Sequence, residues 1–328
     1  MRLTARLALG LARLLLLLLF VALVAFALVR LSPVDPVAAY LGPGIARLSP
    51  EQRAAIEVAW GLDRPTAVQF GRWLGHTLSG DLGWSTSHNA PVASVIAERG
   101  GATLRLALPA LVLSGLLGFA LGLVSGAREG SMLDRAVRFY AYLLAATPTF
   151  WLGVVALTVF SVQLGWAPLC CSGPIGVTPD AVTLAQTLAH LALPLTVLTL
   201  FGVAQVALHT RAKVAEAMAS DHALFAFAQG ATRADVALHH AARAALLPAL
   251  TIVCASFGEI LGGAVLAEQV FAYPGLGRAT VEAGVRGDVP LLLALTLLAA
   301  TLVASGNLLA DLLYPHIDPR LRGAGGRA

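Results

Sequence analysis

Six separate runs of mostly apolar residues, each near the length a helix needs to cross a bilayer, constrain this chain more than any other feature. A spanning helix takes about 20 such residues, because the hydrocarbon core offers the backbone no water. The runs lie at about 11–29, 104–125, 141–164, 184–208, 246–266 and 291–313. Composition agrees, with 58% hydrophobic and 12% charged residues, where a soluble domain has about a quarter charged. The expectation is an all-α polytopic membrane protein with six transmembrane helices.

The first run follows Arg2 and Arg6, has Arg13 near its inner end, and is expected to be a retained anchor. "LLLLLLFVALVAFALV" is long for a signal peptide, and "RLSPVDP" lacks a clear small-residue cleavage site. Arg13 can snorkel its charge to the surface. Alternating spans place Arg128, Arg135, Arg138, Arg211, Lys213, Arg233 and Arg243 on the side of the N-terminus. The short loops opposite hold only Arg278 and Arg286, so both termini are expected in the cytoplasm. This divides the chain into an anchor plus extracytoplasmic segment (1–102), a transmembrane domain (103–313) with a cytoplasmic loop at 209–245, and a tail at 314–328. In the outer segment, Ser49 with Gln52 forms a capping-box pattern, Pro50 suits a first helical turn and Gly61 suits a helix end. "SPEQRAAIEVAWG" therefore predicts an amphipathic helix. A second short helix is expected near Val92–Glu98, ahead of the second span.

Catalytic signatures are absent. There is no H-E-x-x-H and no G-x-S-x-G, and the single lysine, Lys213, stands in "TRAKVAE" rather than in a phosphate loop. Basic residues are scattered without aromatic interleaving, which argues against nucleic acid. The eight histidines form no ligand-like cluster in the sequence, and neighbours such as His239 and His240 point to different sides of a helix. Cys170, Cys171 and Cys254 make no disulfide framework. Two free thiols are expected at 170 and 171, a vicinal disulfide or a soft-metal site being the alternatives. Glu259 falls near the middle of the fifth run, where a carboxylate is costly. It lines a solute path or makes a structural hydrogen bond, the latter helped by close packing at Gly258, Gly262 and Gly263. Glu268 is expected to reach water.

The loop between the fourth and fifth runs contains "DHALFAFAQG" and "TRADVALHHAARAALLP". Its Asp221, Ala226, Ala228 and Gly230, followed by His240 and Arg243, resemble the cytoplasmic loop of ABC importer permeases. "GLDRP", "QFGRWL", "GDLGWS", "TPTFWLG", "LGGAVLAEQVFAYPGLGR" and "DLLYPHIDPRLR" are similar to pieces of the peptide/nickel branch, in that branch's order. The resemblance implies a type I importer fold in the bacterial inner membrane. It implies half of a pore shared with a homologous permease, two ATPase subunits that hold ATP and Mg, and an extracytoplasmic solute-binding protein. This chain would carry no cofactor or metal and catalyse no reaction. Asp221, Leu224, Phe225, Ala226, Phe227, Ala228, Gln229 and Gly230 would form the coupling helix, its apolar face made by Leu224, Phe225, Phe227 and Ala228. The family usually has basic residues where Leu224, Phe227 and Gln229 stand, so the contact here is less charged. A helix lying on the membrane surface is the plainer alternative. The solutes implied are peptides, nickel or metal chelates, or glutathione-like compounds, with "RLSPVDPV", "GEILGG" and Glu259 leaning toward nickel or metallophores. An ion-gradient transporter would instead want paired interrupted helices and several midplane charges, and Glu259 is the one clear case. A membrane scaffold would not need the coupling loop.

Overall fold

A computed structural model describes residues 3–32, 37, 49–59 and 61–317. Residues 33–36 of "RLSPVDPV" and the tail beyond 317 lie outside the described residues. Five helices are long and apolar enough to cross a membrane, or six if one bent pair counts as a span. In chain order the elements begin with α1 (Leu3–Leu31), then α2 (Pro50–Ala59), α3 (Thr66–Leu78) and a two-stranded antiparallel hairpin, β1 (Trp84–Ser85) with β2 (Ala90–Pro91). Next come α4 (Val92–Ala127), α5 (Met132–Ala146), α6 (Thr149–Ala156, continued as a π-helical stretch to Gln163) and α7 (Leu184–Met218). The last are α8 (Asp221–Ala228), α9 (Arg233–Val236), α10 (Ala242–Ala255), α11 (Phe257–Val270), α12 (Leu276–Arg286) and α13 (Val289–Ile317).

The centre of the bundle is the α4–α7 pair. Ser114, Gly118, Gly122 and Gly126 recur every fourth residue on α4, and Gly202, Val206, Thr210 and Val214 recur likewise on α7. The two rows mesh in parallel. A Cβ on Gly118 would sit 2.6 Å from Val206 Cβ, on Gly122 2.6 Å from Thr210 Cβ, and on Gly126 2.7 Å from Val214 Cβ. Small residues at this spacing let helix backbones approach closely, which drives association in lipid, where no hydrophobic gain separates helix from solvent. Leu106, Ala110, Leu198, Ile260 and Ala264 then bring α11 onto the outer half of this pair. α1 lies at the periphery against α13, where Gly10 leaves room for Leu308.

The capping box at Ser49 forms as expected: Ser49 N–H donates to Gln52 Oε1 at 2.9 Å and Gln52 N–H to Ser49 Oγ at 3.2 Å. Four expectations are corrected. The short helix at Val92–Glu98 is no separate element, because α4 runs unbroken through Gly100 and Gly101, with Val92 and Val95 buried against α12 and α13. The span at 141–164 is a bent pair, α5 and α6, meeting at 102°. Thr147 before Pro148 is extended (φ −93, ψ 124), as steric conflict with a following proline ring favours. The span at 246–266 is interrupted at Ser256 between α10 and α11. Finally, Cys170 and Cys171 are joined in a vicinal disulfide, the Cys171 N–H donating to Phe271 O at 2.9 Å; Cys254 stays free. That hydrogen bond ties the 165–183 loop to the end of α11.

Candidate functional site

The 35 residues of α7 extend about 52 Å at 1.5 Å per residue, some 20 Å more than a hydrocarbon core of about 30 Å needs. α8 follows two residues after the C-terminal end of this long helix. Ser220 caps α8, accepting from the Ala223 N–H at 3.4 Å. Ala223 and Ala226 are buried against Val236, with Met218, Phe227 and Ala231 packed around them. Gly230 ends the helix at φ +90, a left-handed geometry that costs an L side chain about 1–2 kcal/mol. The chain then reverses, with Ala231 N–H donating to Ala226 O at 3.1 Å. Thr232 and Asp235 form a reciprocal capping box that starts α9, and a π-helical turn (Ala237–Ala241) joins α9 to α10.

This hairpin sorts the expected coupling residues by face. Asp221, Leu224, Phe225 and Ala228 are exposed, Leu224 at 59% and Phe225 at 65%. Their spacing of i, i+3, i+4 and i+7 makes them one stripe. Gln229 and Gly230 are exposed at its end. Ala226 faces inward and Phe227 is half-buried in the hairpin's own small core. The expected apolar contact face therefore loses Phe227, which holds the hairpin together instead. His239 and His240 are exposed, His239 Nδ1 lying 3.1 Å from Asp235 O. No group of three or more metal-ligating side chains occurs among the described residues.

The base of the hairpin is braced by an ionic cluster that the sequence did not announce. Arg211 on α7 donates from Nε to Asp134 Oδ1 and from Nη2 to Asp134 Oδ2, both at 3.0 Å, and Nη2 also reaches Glu129 at 3.0 Å. Asp134 is fully covered and accepts from Ser125 Oγ at 2.6 Å and Gly130 N–H at 2.9 Å. One carboxylate thus locks the ends of α4 and α5 to α7, just before α8. The pairing is worth making because each charge is met by several donors or acceptors, without which burial would cost several kcal/mol, about 3–5 for a broken pair.

Glu259 is exposed on α11, and Gln205 Nε2 of α7 donates to its Oε2 at 2.6 Å. His209, one turn on from Gln205, is exposed too. Glu268, expected to reach water, is instead completely buried. It accepts from Thr103 Oγ1 at 2.6 Å and from the Arg278 N–H at 3.1 Å, while Thr103 Oγ1 accepts from the Leu276 N–H at 2.8 Å. A carboxylate is thereby seated at the N-terminus of α12, where unpaired N–H groups and the helix dipole favour negative charge. This accounts for "EQVFAYPGLGR": a Cβ on Gly275 would strike the Glu268 carboxylate, and one on Gly277 would lie 2.5 Å from Val265 Cα. Asp288 acts similarly at the start of α13, its Oδ2 accepting from Ser85 Oγ (2.6 Å), Ser87 Oγ (2.7 Å) and Ser87 N–H (2.9 Å). That bond set anchors "GDLGWSTS" to the bundle. Glu268 was misplaced and Asp288 missed because their partners lie far away in sequence, 165 residues for Glu268 to Thr103 and 203 for Asp288 to Ser85. The Gly-rich turns beside them were the available signal.

Residues 118–323 match the family model described as the binding-protein-dependent transport system inner membrane component. A Brucella abortus (strain 2308) protein named for a peptide transport system permease is 38% identical over 304 residues, spanning 93% of this chain and 94% of its own. The oligopeptide transport system permease protein of Bacillus subtilis (strain 168) is 33% identical over 305 residues, spanning 93% and 95%. The chain belongs to the family of binding-protein-dependent transport system inner membrane components, the permeases of ABC transport systems, and is a multi-pass protein of the inner membrane.

Proposed function

We propose that this permease forms half of the translocation pore of an ATP-driven importer for peptides, with α8 as its contact for a separate ATPase subunit. The observation that carries the reading is the exposed stripe of Asp221, Leu224, Phe225 and Ala228, held beyond the surplus length of α7 on a braced hairpin. Two large apolar side chains side by side in water call for a partner surface, and a short amphipathic helix fits a groove. Relatives named for peptide transport favour peptides over the nickel or metallophore lean drawn from Glu259 and its neighbours.

Both termini and α8 would face the cytoplasm, a topology the arginine distribution supports. A homologous permease would complete the pore, a solute-binding protein would deliver the peptide outside, and ATP with Mg would bind the two ATPases, none of it in this chain. ATP binding would close the ATPase pair and draw the two α8 helices together, turning the pore outward; hydrolysis would reset it. This is a population shift driven by ligands that bind the two states unequally. Glu259 with Gln205 would line the path, since an exposed carboxylate at midspan cannot face lipid at tolerable cost. Co-purification with ATPase subunits, followed by ATP-dependent peptide uptake into proteoliposomes, is the expected result. Uptake by this chain alone on a sodium or proton gradient would overturn it.

A further inference from the structure

The first helix, α1, is held to the rest of the chain near both of its ends. Near its start, Gly10 packs on Leu308 of α13. Near its end, Phe26 meets two rings of α3, Phe70 edge-on at 5.4 Å and Trp73 at 5.6 Å. Between these contacts lies a cavity of about 480 Å³. Leu15, Leu18, Leu19 and Ala22 of α1 line one side of it. Their spacing of i, i+3, i+4 and i+7 makes them a single stripe. Leu297 and Thr301 of α13 line the opposite side, and Leu78 of α3 closes one end. Ala22 is the only residue of α1 buried among those described.

The depth of this cleft matches the hydrocarbon of one leaflet. On α3, Phe70, Trp73, Leu74 and Thr77 are half-buried on one side, while Arg72 and His76 are exposed. A short amphipathic helix carrying a Trp and a basic face belongs at a membrane surface. Arg30, one turn beyond Phe26 and 5.9 Å from its ring, stands at the same level. Counted from Phe26 at 1.5 Å per residue, Ala22 lies about 6 Å deeper and Leu15 about 16 Å deeper. That interval covers one half of a hydrocarbon core about 30 Å thick. Water does not suit the space. Thr77 and Thr301 are its polar lining residues, and Thr301 Oγ1 already donates to Leu297 O at 2.7 Å; apolar cavities stay dry. Left empty, a void of this size would forfeit contacts on every wall. The cleft opens where Leu15 and Leu19 are 64% and 49% exposed, so it is continuous with the lipid-facing surface of α1.

We infer that this cleft is a binding site for one acyl chain of a phospholipid from the leaflet on the α3 side. The chain enters between α1 and α13, and its headgroup stays at the level of Arg30 and Trp73. It supplies the packing that α1 lacks along its middle turns. Walled by α1, α13 and α3, it leaves more slowly than lipid that touches only the outward face of α1.

The test places the full-length permease in nanodiscs containing a phospholipid with a photoreactive diazirine midway along one acyl chain. Irradiation follows directly or after dilution into detergent, and labelled residues are mapped by mass spectrometry. Leu16 and Phe20, exposed on another face of α1 at the same depth, serve as the reference for bulk lipid. In the bilayer, Leu16, Phe20, Leu18 and Thr301 should all be labelled. After dilution, labelling of Leu16 and Phe20 should be lost while that of Leu18 and Thr301 is retained. Thr301→Phe puts a ring into the cleft and should abolish labelling at Leu18, with Leu16 still labelled in the bilayer. Parallel loss at all four residues means bulk lipid only and overturns the site, as does absence of label at Leu18 and Thr301 in the bilayer. Unchanged labelling of Leu18 in an assembled Thr301→Phe protein also overturns it. Should that variant fail to assemble, the comparison within the parent decides alone.

Discussion

Removing the carboxylate of Glu268 probes how the outer end of the fold is held. In Glu268→Ala, Thr103 Oγ1 and the Arg278 N–H lose a buried acceptor. Each buried donor left unpaired costs about 1–3 kcal/mol, so the expected loss is about 4 kcal/mol, with the space left by the side chain adding to it. Glu268→Gln keeps one oxygen but turns an amide N–H₂ toward a donor, and should cost about half as much. Thermal unfolding of the purified complex, followed by loss of monodisperse protein, should shift down by roughly 5–10 °C for the alanine variant. Gly275→Ala supplies the control, because its new Cβ would be driven into the Glu268 carboxylate. In the Glu268→Ala background that collision disappears, so the two substitutions should be strongly non-additive, by more than about 1 kcal/mol. A Glu268→Ala protein as stable as the parent, or strict additivity with Gly275→Ala, would refute the assignment of Glu268 as the buried acceptor at α12.

Gly122→Leu should separate α4 from α7, since even a Cβ there meets Thr210 Cβ at 2.6 Å and Ala207 O at 2.7 Å; a loss of about 1–3 kcal/mol or failed assembly on size-exclusion chromatography is expected, and a fully assembled, equally stable variant would contradict the packing. Asp134→Asn leaves Arg211 with Glu129 alone and should lower stability by about 2–3 kcal/mol in thermal unfolding. Asp134→Ala should be worse, and stability equal to the parent in both would remove the brace from the mechanism.

Much of this architecture is legible in the sequence, and the failures have physical causes. Membrane-length runs identify most spans because lipid forces every backbone group into a helix. The bend at Thr147–Pro148 was also legible, as the conformational limit on a residue before proline, but the apolar run around it masked the break. A separate short helix was expected near Val92–Glu98, yet α4 runs on through Gly100 and Gly101, and burial of Val92 and Val95 on one side of it outweighs local propensity. The Gly118–Gly122–Gly126 row was visible as a period of four but carried no meaning until its partners on α7 were known. For α8, the residue types of a contact helix were readable and the facing was not. Phe225 and Phe227 look equivalent in "LFAFA", and only the return of the chain at Gly230 decides that Phe227 packs inward.

That facing is what the most direct measurement addresses. Phe225→Asp should leave the thermal unfolding of the complex within about 0.5 kcal/mol of the parent, as for a surface change, because the side chain is exposed. ATP-driven peptide uptake in proteoliposomes should nevertheless fall by at least about tenfold, an exposed aromatic on a contact helix being an anchor residue. Uptake and ATP turnover equal to the parent, in a variant that still folds, would contradict the placement of the ATPase contact on α8.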